Sequence, residues 1–296
     1  LSSQAPAGLF EPDVPLHIGH MIGVHSVHSA DEDYAMRKIA FAALLSIGLF
    51  AVNAYAAPQA KPVEWRIGKQ AFSGYLVYDD AVATKRPGLL MVPDWLGVTD
   101  NAVTKAKQVA GSEYVVLVVD MYGKGIRPKN PDQAMAQVKA LYAAPMVMRA
   151  RMLVALDTLK AQASKAPLDA AKIGAFGYCF GGSSVLELVR GSASLAGAVT
   201  FHGGLSTSMP AKPGAVKTPV LVLNGADDRG TAGDIAGFEK EMNAAGADWQ
   251  FVNFSGAVHC FALETANNPP GCLYNERAAK RAYRMMEDFW KERFGG

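Results

Sequence analysis

The sequence has few cysteines, little excess charge and no long apolar run, and each shortage argues against one kind of protein. Three of the 296 residues are cysteines and no two of them form a Cys-x-x-Cys pair, which argues against a thiol-redox protein. The formal net charge is +2 and basic residues form no long run, so binding to nucleic acid or to a membrane surface is not indicated. No apolar stretch reaches the roughly 20 residues that a membrane span needs.

The overall composition is that of an ordinary globular protein, and the sequence also contains the pattern of an export signal. Hydrophobic residues make up 50% of the chain and charged residues 19%, which is enough for a large core. Arg37 and Lys38, the apolar stretch Ile39–Val52 and the motif Ala54-Tyr-Ala56 are the three parts of a secretory signal peptide over residues 36–56. A membrane anchor is the alternative, but the apolar stretch is too short for one. We expect cleavage after Ala56, export to the periplasm or beyond, and no stable membrane anchor on the mature domain, residues 57–296.

Residues 1–35 precede the segment that should begin the protein, and Met36 is its natural start. We therefore expect residues 1–35 to be a spurious upstream extension, absent from the mature protein. Four of the six histidines lie there, and a metal site is the alternative interpretation: His17, His20, His25 and His28. We expect neither a metal nor another cofactor in the mature domain.

The most specific local pattern lies between Lys172 and Arg190. Ile173–Tyr178 is apolar like a buried strand, and Ser183–Arg190 has the periodic apolar face of a helix. Between them, Gly177-Tyr-Cys179-Phe-Gly181 has the spacing of a nucleophile elbow, with cysteine in place of the commoner serine. The glycines leave room for a strained turn, and the helix N-terminus favours a thiolate. A buried structural cysteine is the alternative.

Apolar strands and helices alternate along the rest of the chain. After an edge hairpin within residues 63–77, strands are predicted at Pro87–Pro93, Tyr114–Asp120, Leu195–Phe201, Pro219–Asn224 and Trp249–Phe254. Strands that are apolar throughout and separated by helices predict an α/β fold, with a mostly parallel sheet of about seven or eight strands and helices on both faces. Reactive residues in such sheets gather beyond the carboxyl ends of the strands, which selects Asp94, Cys179, His202, Asp227 or Asp228, and His259.

An acid and a histidine follow Cys179 in the order that α/β-hydrolases use, which is nucleophile, acid, histidine. Asp228 ends the segment Gly225-Ala-Asp-Asp228, and His259 is the only later histidine. We choose Asp228 over Asp227 because the fourth place from the turn glycine is the usual one; a turn or capping role is the alternative for either. His259 would take the proton of Cys179, and Asp228 would hold the imidazole in the required tautomer.

From about Val63 to Phe294 the sequence resembles the dienelactone hydrolase family, whose members use a Cys–Asp–His triad on an α/β-hydrolase fold. The resemblance is carried by Val92-Pro-Asp-Trp-Leu-Gly97, Val119-Asp-Met-Tyr122, Gly177-Tyr-Cys-Phe-Gly-Gly182, Gly225-Ala-Asp-Asp228, Val258-His-Cys-Phe261 and Leu273-Tyr-Asn-Glu276. The last motif is similar to a secreted subgroup. The resemblance implies a carboxylic ester or lactone hydrolase that forms a thioester at Cys179. A non-catalytic binding or thiol-redox protein on the same scaffold is the alternative, and the complete triad argues against it.

The resemblance also implies roles for residues around the triad. The backbone N–H groups of Phe180 and Trp95 match the family's oxyanion hole. Asp94 matches an acidic residue, usually Glu, that helps to deprotonate the cysteine; an ordinary loop acid is the alternative. Tyr122 and His202, each near the end of a strand, would line the pocket, although a packed histidine is the alternative for His202.

The arginines that hold the carboxylate of dienelactone in the family have no match here. One of them should lie four residues after the histidine, where this chain has Leu263. The other should lie early in the helical segment that follows Pro131, and no arginine occurs between Arg127 and Arg149. Lys139 is a possible substitute without the bidentate fork of arginine. We therefore expect the small-molecule substrate to be a neutral or differently charged ester or lactone.

The two remaining cysteines lie near His259. Cys260 and Cys272 are twelve residues apart, and an exported protein is in an oxidising compartment. We prefer a disulfide between them that holds the loop beside His259. Two free thiols are one alternative, and a Cys179–Cys260 disulfide that would inactivate the enzyme is another.

Overall fold

Eight strands form one sheet, in the order β1-β2-β4-β3-β5-β6-β7-β8, in the computed structural model, which describes residues 57–295. The strands are β1 (Gln59–Ile67), β2 (Gln70–Tyr78), β3 (Arg86–Val92), β4 (Val115–Val118), β5 (Leu168–Tyr178), β6 (Gly197–Phe201), β7 (Val220–Gly225) and β8 (Trp249–Phe254). The β1–β2 and β2–β4 pairs are antiparallel and the other neighbours are parallel. The predicted α/β fold is confirmed. The predicted signal peptide and residues 1–35 lie outside the described residues.

Within the described residues, six α-helices accompany the sheet: α1 (Asp100–Ala110), α2 (Pro131–Tyr142), α3 (Pro145–Ala161), α4 (Phe180–Arg190), α5 (Ile235–Ala244) and α6 (Glu276–Phe294). Side chains of α2 to α5 pack in one buried cluster with Leu90 and Leu117, while α1 and α6 pack in another with Leu89 and Val116. Alternate strand residues thus face opposite layers, as the period of two in a strand requires. Within residues 57–295, each helix is too short or too polar to cross a bilayer.

Proline lies in the first turn of two of these helices. Asn130 precedes α2 and accepts the N–H of Gln133, and Pro131 occupies the first turn, where its missing N–H costs nothing. A second proline, Pro145, begins α3 in the same way after a break of two residues. The break makes α2 a helix separate from α3. A short hairpin that the sequence pattern did not predict, β9 (Asn267–Asn268) and β10 (Cys272–Leu273), follows the loop that contains His259.

Candidate active site

Cys179 occupies the turn between β5 and α4, and its backbone has a φ of +53°, in a region that residues other than glycine rarely adopt. The flanking glycines are required by space, because a Cβ at Gly177 would lie 2.3 Å from the carbonyl oxygen of Gly181. A Cβ at Gly181 would lie 2.1 Å from the carbonyl oxygen of Val92. Backbone atoms cannot move aside as a side chain can, so this turn needs both glycines. The strained turn places the sulfur at the N-terminus of α4.

The structure brings together the three residues of the predicted triad. Nε2 of His259 lies 3.0 Å from Sγ of Cys179, and Nδ1 lies 2.7 Å from Oδ2 of Asp228. The other carboxylate oxygen of Asp228 accepts the N–H of Gly230 at 2.9 Å. Asp228 is 4% exposed, whereas Asp227 is an exposed loop residue. The arrangement is that of a nucleophile, a base and an orienting acid, and the roles of the three residues remain predictions.

The electrostatics of His259 favour its protonated form. Burial lowers the pKa of the imidazole, but hydrogen bonds to Asp228 and Cys179 and the charges of both groups outweigh burial and raise it to about 10. The imidazolium form of His259, between Asp228 and Cys179, is therefore the stable form of this side chain at neutral pH. A protonated imidazole in this position can donate a proton to a leaving group.

Two backbone N–H groups beside Cys179 have no acceptor within residues 57–295: those of Trp95 and Phe180. Phe180 begins α4, and Trp95 lies in a turn in which the N–H of Gly97 donates to the carbonyl of Asp94 at 3.0 Å. Free N–H groups next to a nucleophile are what an oxyanion requires. Their position is consistent with the predicted oxyanion hole, which stays a prediction.

Asp94, whose predicted role in thiol activation stays a prediction, bonds within its own loop. Its Oδ1 accepts the N–H of Leu96 at 2.9 Å, so the carboxylate closes the turn that contains Trp95. Within the described residues no hydrogen bond joins Asp94 to Cys179, and Asp94 instead lines a separate cavity of about 130 Å³ with Leu263. Burial raises the pKa of this carboxyl. The structure thus supports the alternative of a loop acid, because the side chain satisfies its own turn.

Cys179 and His259 open into a cavity of about 600 Å³, called here the Cys179 cavity. Met135, Lys139 and Tyr142 line it from one face of α2, at the i, i+4, i+7 spacing of a helix. Its other lining residues are Trp95, Val138, Pro145, Met148, Phe180, Ser183, Glu187, Gly204, Ser206, Thr207, Ser208, Gly230, Thr231 and Asp234. The sequence analysis identified Lys139 but not the other α2 residues that line the cavity. The signal that could have found them is the presence of apolar residues at exposed positions on this face of the helix.

Tyr122 and His202, predicted to line the pocket, are instead buried behind its wall, at 2% and 0% exposure. His202 has a φ of +39°, and its ring lies edge-to-face with that of His259 at 5.0 Å. Burial, together with the nearby His259, lowers the pKa of His202 well below its ordinary value, so its ring is neutral. Neither ring nitrogen has a hydrogen-bond partner within residues 57–295. The packed-histidine alternative fits these contacts.

Cys260 and Cys272 are disulfide-bonded, with their Cα atoms 5.0 Å apart, and Cys179 is free. The bond joins the residue after His259 to β10. The N–H of Leu273, the next residue of β10, donates to the carbonyl of His259 at 3.1 Å. The loop that carries the imidazole is therefore tied to the β9–β10 hairpin by one covalent bond and one hydrogen bond. Among residues 57–295, no group of three or more His, Cys, Asp and Glu side chains is placed to hold a metal ion.

Comparison with known proteins identifies the family. The model of the dienelactone hydrolase family matches residues 72–294. The solved structure of m3DLH is 31% identical, with a TM-score of 0.75, and the match covers 80% of this chain and 99% of that one. A dienelactone hydrolase-like promiscuous phosphotriesterase from metagenomic libraries is 30% identical, with the same TM-score of 0.75 and the same coverage of 80% and 99%.

Two curated relatives add sequence similarity from other organisms. A predicted carboxymethylenebutenolidase of Salmonella typhimurium is 25% identical over 219 residues, which are 71% of this chain and 78% of that protein. An uncharacterised protein of Caenorhabditis elegans is 31% identical over 153 residues, which are 50% of this chain and 94% of that one. Because the family model matches residues 72–294 and the solved structures share the fold, the chain belongs to the dienelactone hydrolase family of α/β-hydrolases.

Proposed function

We propose that this hydrolase cleaves carboxylic esters or lactones with Cys179 as its nucleophile. The observation that carries the proposal is the continuous series of contacts from Cys179 through His259 to Asp228, at 3.0 Å and 2.7 Å, facing the Cys179 cavity. A sulfur that only packed in the core would need neither the strained turn nor an imidazole at hydrogen-bond distance.

The first half-reaction makes a thioester. The thiolate of Cys179 adds to the substrate carbonyl carbon, a C–S bond forms, and the carbonyl π electrons move to oxygen. The N–H groups of Trp95 and Phe180 stabilise that oxyanion. When the intermediate collapses, the C–O bond to the leaving group breaks and the imidazolium of His259 donates its proton to the departing alkoxide.

The second half-reaction releases the acid. His259, now neutral, removes a proton from water, whose oxygen adds to the thioester carbonyl. Collapse breaks the C–S bond, and the thiolate and the imidazolium are restored together. Asp228 accepts the Nδ1 proton of His259 in a hydrogen bond throughout, so the ring keeps Nε2 towards the sulfur and the substrate.

The lining of the Cys179 cavity supports a neutral substrate with an apolar part. Met135, Val138, Tyr142 and Met148 supply apolar surface, and within the described residues one lysine and no arginine line the cavity. The charge of Glu187 is compensated by Arg149 and Arg190. Apart from the imidazolium of His259, which is paired with Asp228, a carboxylate of the substrate would find only Lys139, a single cation without the bidentate geometry of arginine. The volume of about 600 Å³ leaves room for an aryl or alkyl group.

The test is hydrolysis of p-nitrophenyl acetate by the wild type, by Cys179→Ala and by His259→Ala, with Asp227→Asn as the matched surface control. We expect activity in the wild type and the control, and none above background in the other two. Mass spectrometry of the acid-quenched wild type should show one acetyl group on the peptide that contains Cys179. Wild-type turnover equal to that of Cys179→Ala would contradict the proposal, and thiol–disulfide exchange in its place would favour a redox protein.

A panel of substrates then identifies the class. Neutral aryl and alkyl esters, neutral lactones, a carboxylate-bearing lactone and a phosphotriester should be compared by kcat/KM. The last two represent the activities that name the relatives from Salmonella typhimurium and from metagenomic libraries. We expect the neutral esters or lactones to exceed the carboxylate-bearing lactone. A preference for that lactone would mean that Lys139 is sufficient for carboxylate binding.

We also propose that the enzyme is exported and acts in the periplasm or outside the cell. The proposal rests on the signal-peptide pattern of residues 36–56 and on a disulfide, which persists in oxidising compartments. Expression of the full chain followed by mass measurement of the exported protein tests it, with a mature N-terminus at Ala57 expected. Recovery of an uncleaved chain from the cytoplasm would refute it.

A further inference from the structure

Tyr122 contacts both residues whose N–H groups form the proposed oxyanion hole. Tyr122 comes from a different segment of the chain: it follows β4, whereas Trp95 follows β3 and Phe180 follows Cys179. Its hydroxyl donates to the carbonyl of Trp95 at 2.8 Å. Its ring stacks on that of Phe180 with 5.5 Å between the ring centroids and 27° between the planes. One buried side chain thus joins the two halves of the site.

The contact with the Trp95 turn is close as well as polar. A Cβ on Gly97 would lie 3.1 Å from the ring of Tyr122, so the ring packs directly against the end of the turn. The other bonds of the turn are internal, from Leu96 to the Asp94 side chain and from Gly97 to the Asp94 carbonyl. These bonds set the shape of the turn, and the hydroxyl of Tyr122 ties it to the rest of the site.

Tyr122 is itself held rigidly. One oxygen of the buried Asp120 carboxylate accepts the N–H groups of Tyr122 and Gly123, each at 3.0 Å. The other oxygen accepts the N–H of Ser73 at 3.0 Å and pairs with Arg127 at 3.3 Å. Burial raises the pKa of the Tyr122 hydroxyl far above its ordinary value, so the hydroxyl remains a donor at every working pH. The bond to Trp95 is therefore a permanent feature of the resting enzyme.

We propose that Tyr122 is a positioning residue that fixes the spacing between the N–H groups of Trp95 and Phe180. Donors that stand in place before the reaction stabilise an oxyanion without reorganising, and a displacement of about 1 Å can cost roughly 100-fold in rate. The proposal rests on the proposed function, because it assigns Tyr122 to the transition state of thiolate addition. It adds a role to a side chain that touches neither the substrate nor the reacting sulfur.

The test separates the oxyanion from the nucleophile. Phenyl trifluoromethyl ketone accepts the Cys179 thiolate at its carbonyl carbon, so that a C–S bond forms, the oxygen becomes an alkoxide and no group leaves. Iodoacetamide alkylates the same sulfur by displacing iodide and develops no oxyanion. Tyr122→Phe keeps the ring and removes the hydroxyl. We expect kcat for p-nitrophenyl acetate and the affinity for the ketone each to fall roughly ten-fold, with KM and the alkylation rate unchanged.

Tyr283→Phe is the matched control, because Tyr283 is largely buried on α6 and its hydroxyl bonds Tyr178 and the carbonyl of Ala262 away from the oxyanion hole. It should lower Tm without changing kcat or ketone affinity. Wild-type kcat and ketone affinity in Tyr122→Phe would overturn the proposal. So would an equal fall in the alkylation rate, since that would indicate general disorder of the site. If the wild type hydrolyses no ester, the proposed function fails, while ketone binding still tests the role of Tyr122.

Discussion

The carboxylate of Asp228 bonds Nδ1 of His259 at 2.7 Å with one oxygen and the N–H of Gly230 at 2.9 Å with the other. Each carboxylate oxygen therefore has a hydrogen-bond partner, and the carboxylate cannot rotate away from the imidazole without also breaking its bond to Gly230. Asp227, one residue earlier, has an exposed side chain in the same loop. Asp227 and Asp228 are therefore adjacent aspartates in different environments, and replacing each in turn tests which one acts as the acid of the triad.

Asp228→Asn should lower kcat/KM by roughly 100-fold or more, because the amide cannot stabilise the imidazolium and favours the wrong tautomer of His259. The volume of the side chain is unchanged, so the fold should remain intact by circular dichroism. Asp227→Asn removes the same charge from the exposed neighbour and should leave kcat/KM within about two-fold. Steady-state kinetics on p-nitrophenyl acetate measures both variants. A large loss in Asp227→Asn and none in Asp228→Asn would reverse the assignment of the acid.

The raised pKa of His259 predicts a titration far above that of an ordinary histidine. Its value of about 10 exceeds the ordinary 6.5, so protonation stabilises the folded state. This contribution is complete below pH 6.5 and is lost as the pH rises to about 10. Ester hydrolysis should likewise persist to about pH 10 and fall above it, as the acid that protonates the leaving group is lost.

NMR of histidine-labelled protein checks this titration, because residues 57–296 contain only His202 and His259. We expect a midpoint near 10 for His259 in the wild type and lower midpoints in Asp228→Asn and in Cys179→Ala, each of which removes one raising contact. His202 should stay neutral and not titrate with it, because burial lowers its pKa. A wild-type midpoint near 6.5 would contradict the prediction and mean that the two hydrogen bonds only offset the effect of burial, and a midpoint below 6.5 would mean that burial dominates.

The disulfide beside His259 predicts coupled losses of stability and activity. Replacing both Cys260 and Cys272 by serine opens a loop of 12 residues and should cost about 3 kcal/mol of unfolding free energy. Activity should fall too, because the bond between Leu273 and the carbonyl of His259 loses its support. Urea unfolding, made in a Cys179→Ala background to prevent reshuffling, measures the first effect, and ester kinetics with Cys179 intact measures the second.

Reductant provides the control for this experiment. It should destabilise the protein with Cys260 and Cys272 intact and have no effect on the double serine variant. If the double variant keeps full activity while it loses stability, the disulfide stabilises the fold without holding His259 in place.

The three residues of the proposed triad could be selected from the sequence because their positions follow from local rules. Gly177 and Gly181 mark a turn that only small residues allow, and Asp228 and His259 follow strand ends in the order that the sheet imposes. The starts of α2 and α3 follow a local rule too, since Pro131 and Pro145 lie where a missing N–H is harmless. Each of these signals depends on a few neighbouring residues, so the chain displays it before any tertiary contact is known.

The remaining features of the site depend on contacts between distant segments. Asp94 and Tyr122 each follow a strand like the triad residues, yet one closes its own turn and the other lies behind Trp95. No local pattern distinguishes these outcomes, because strand-end position places a residue at the site without fixing the direction of its side chain. The position of β4 between β2 and β3 in the sheet also depends on contacts between distant segments. The hydrophobic pattern of a segment predicts a strand but does not show which strands lie beside it.

A buried group of ion pairs holds one wall of the Cys179 cavity. Glu187 on α4 accepts from Arg149 at 2.9 Å and from Arg190 at 3.1 Å. Arg190 also pairs with Glu241 at 2.8 Å. The two arginines donate to the carbonyls of Met209 and Leu205, and Glu241 accepts the N–H of Ala211. The loop of residues 205–211, part of which lines the cavity, is thus fastened to the helix that follows Cys179.

Glu187→Gln removes the negative charge between two buried arginines and should lower the unfolding free energy by about 3 kcal/mol. KM should rise more than kcat falls, because the loosened loop carries part of the cavity wall and none of the triad. Glu276→Gln is the matched control, since its pair with Lys280 is exposed and should contribute little. Urea unfolding and Michaelis–Menten kinetics on a bulky aryl ester measure the two effects. A loss of stability with unchanged KM would show that these ion pairs support the fold but do not shape the cavity.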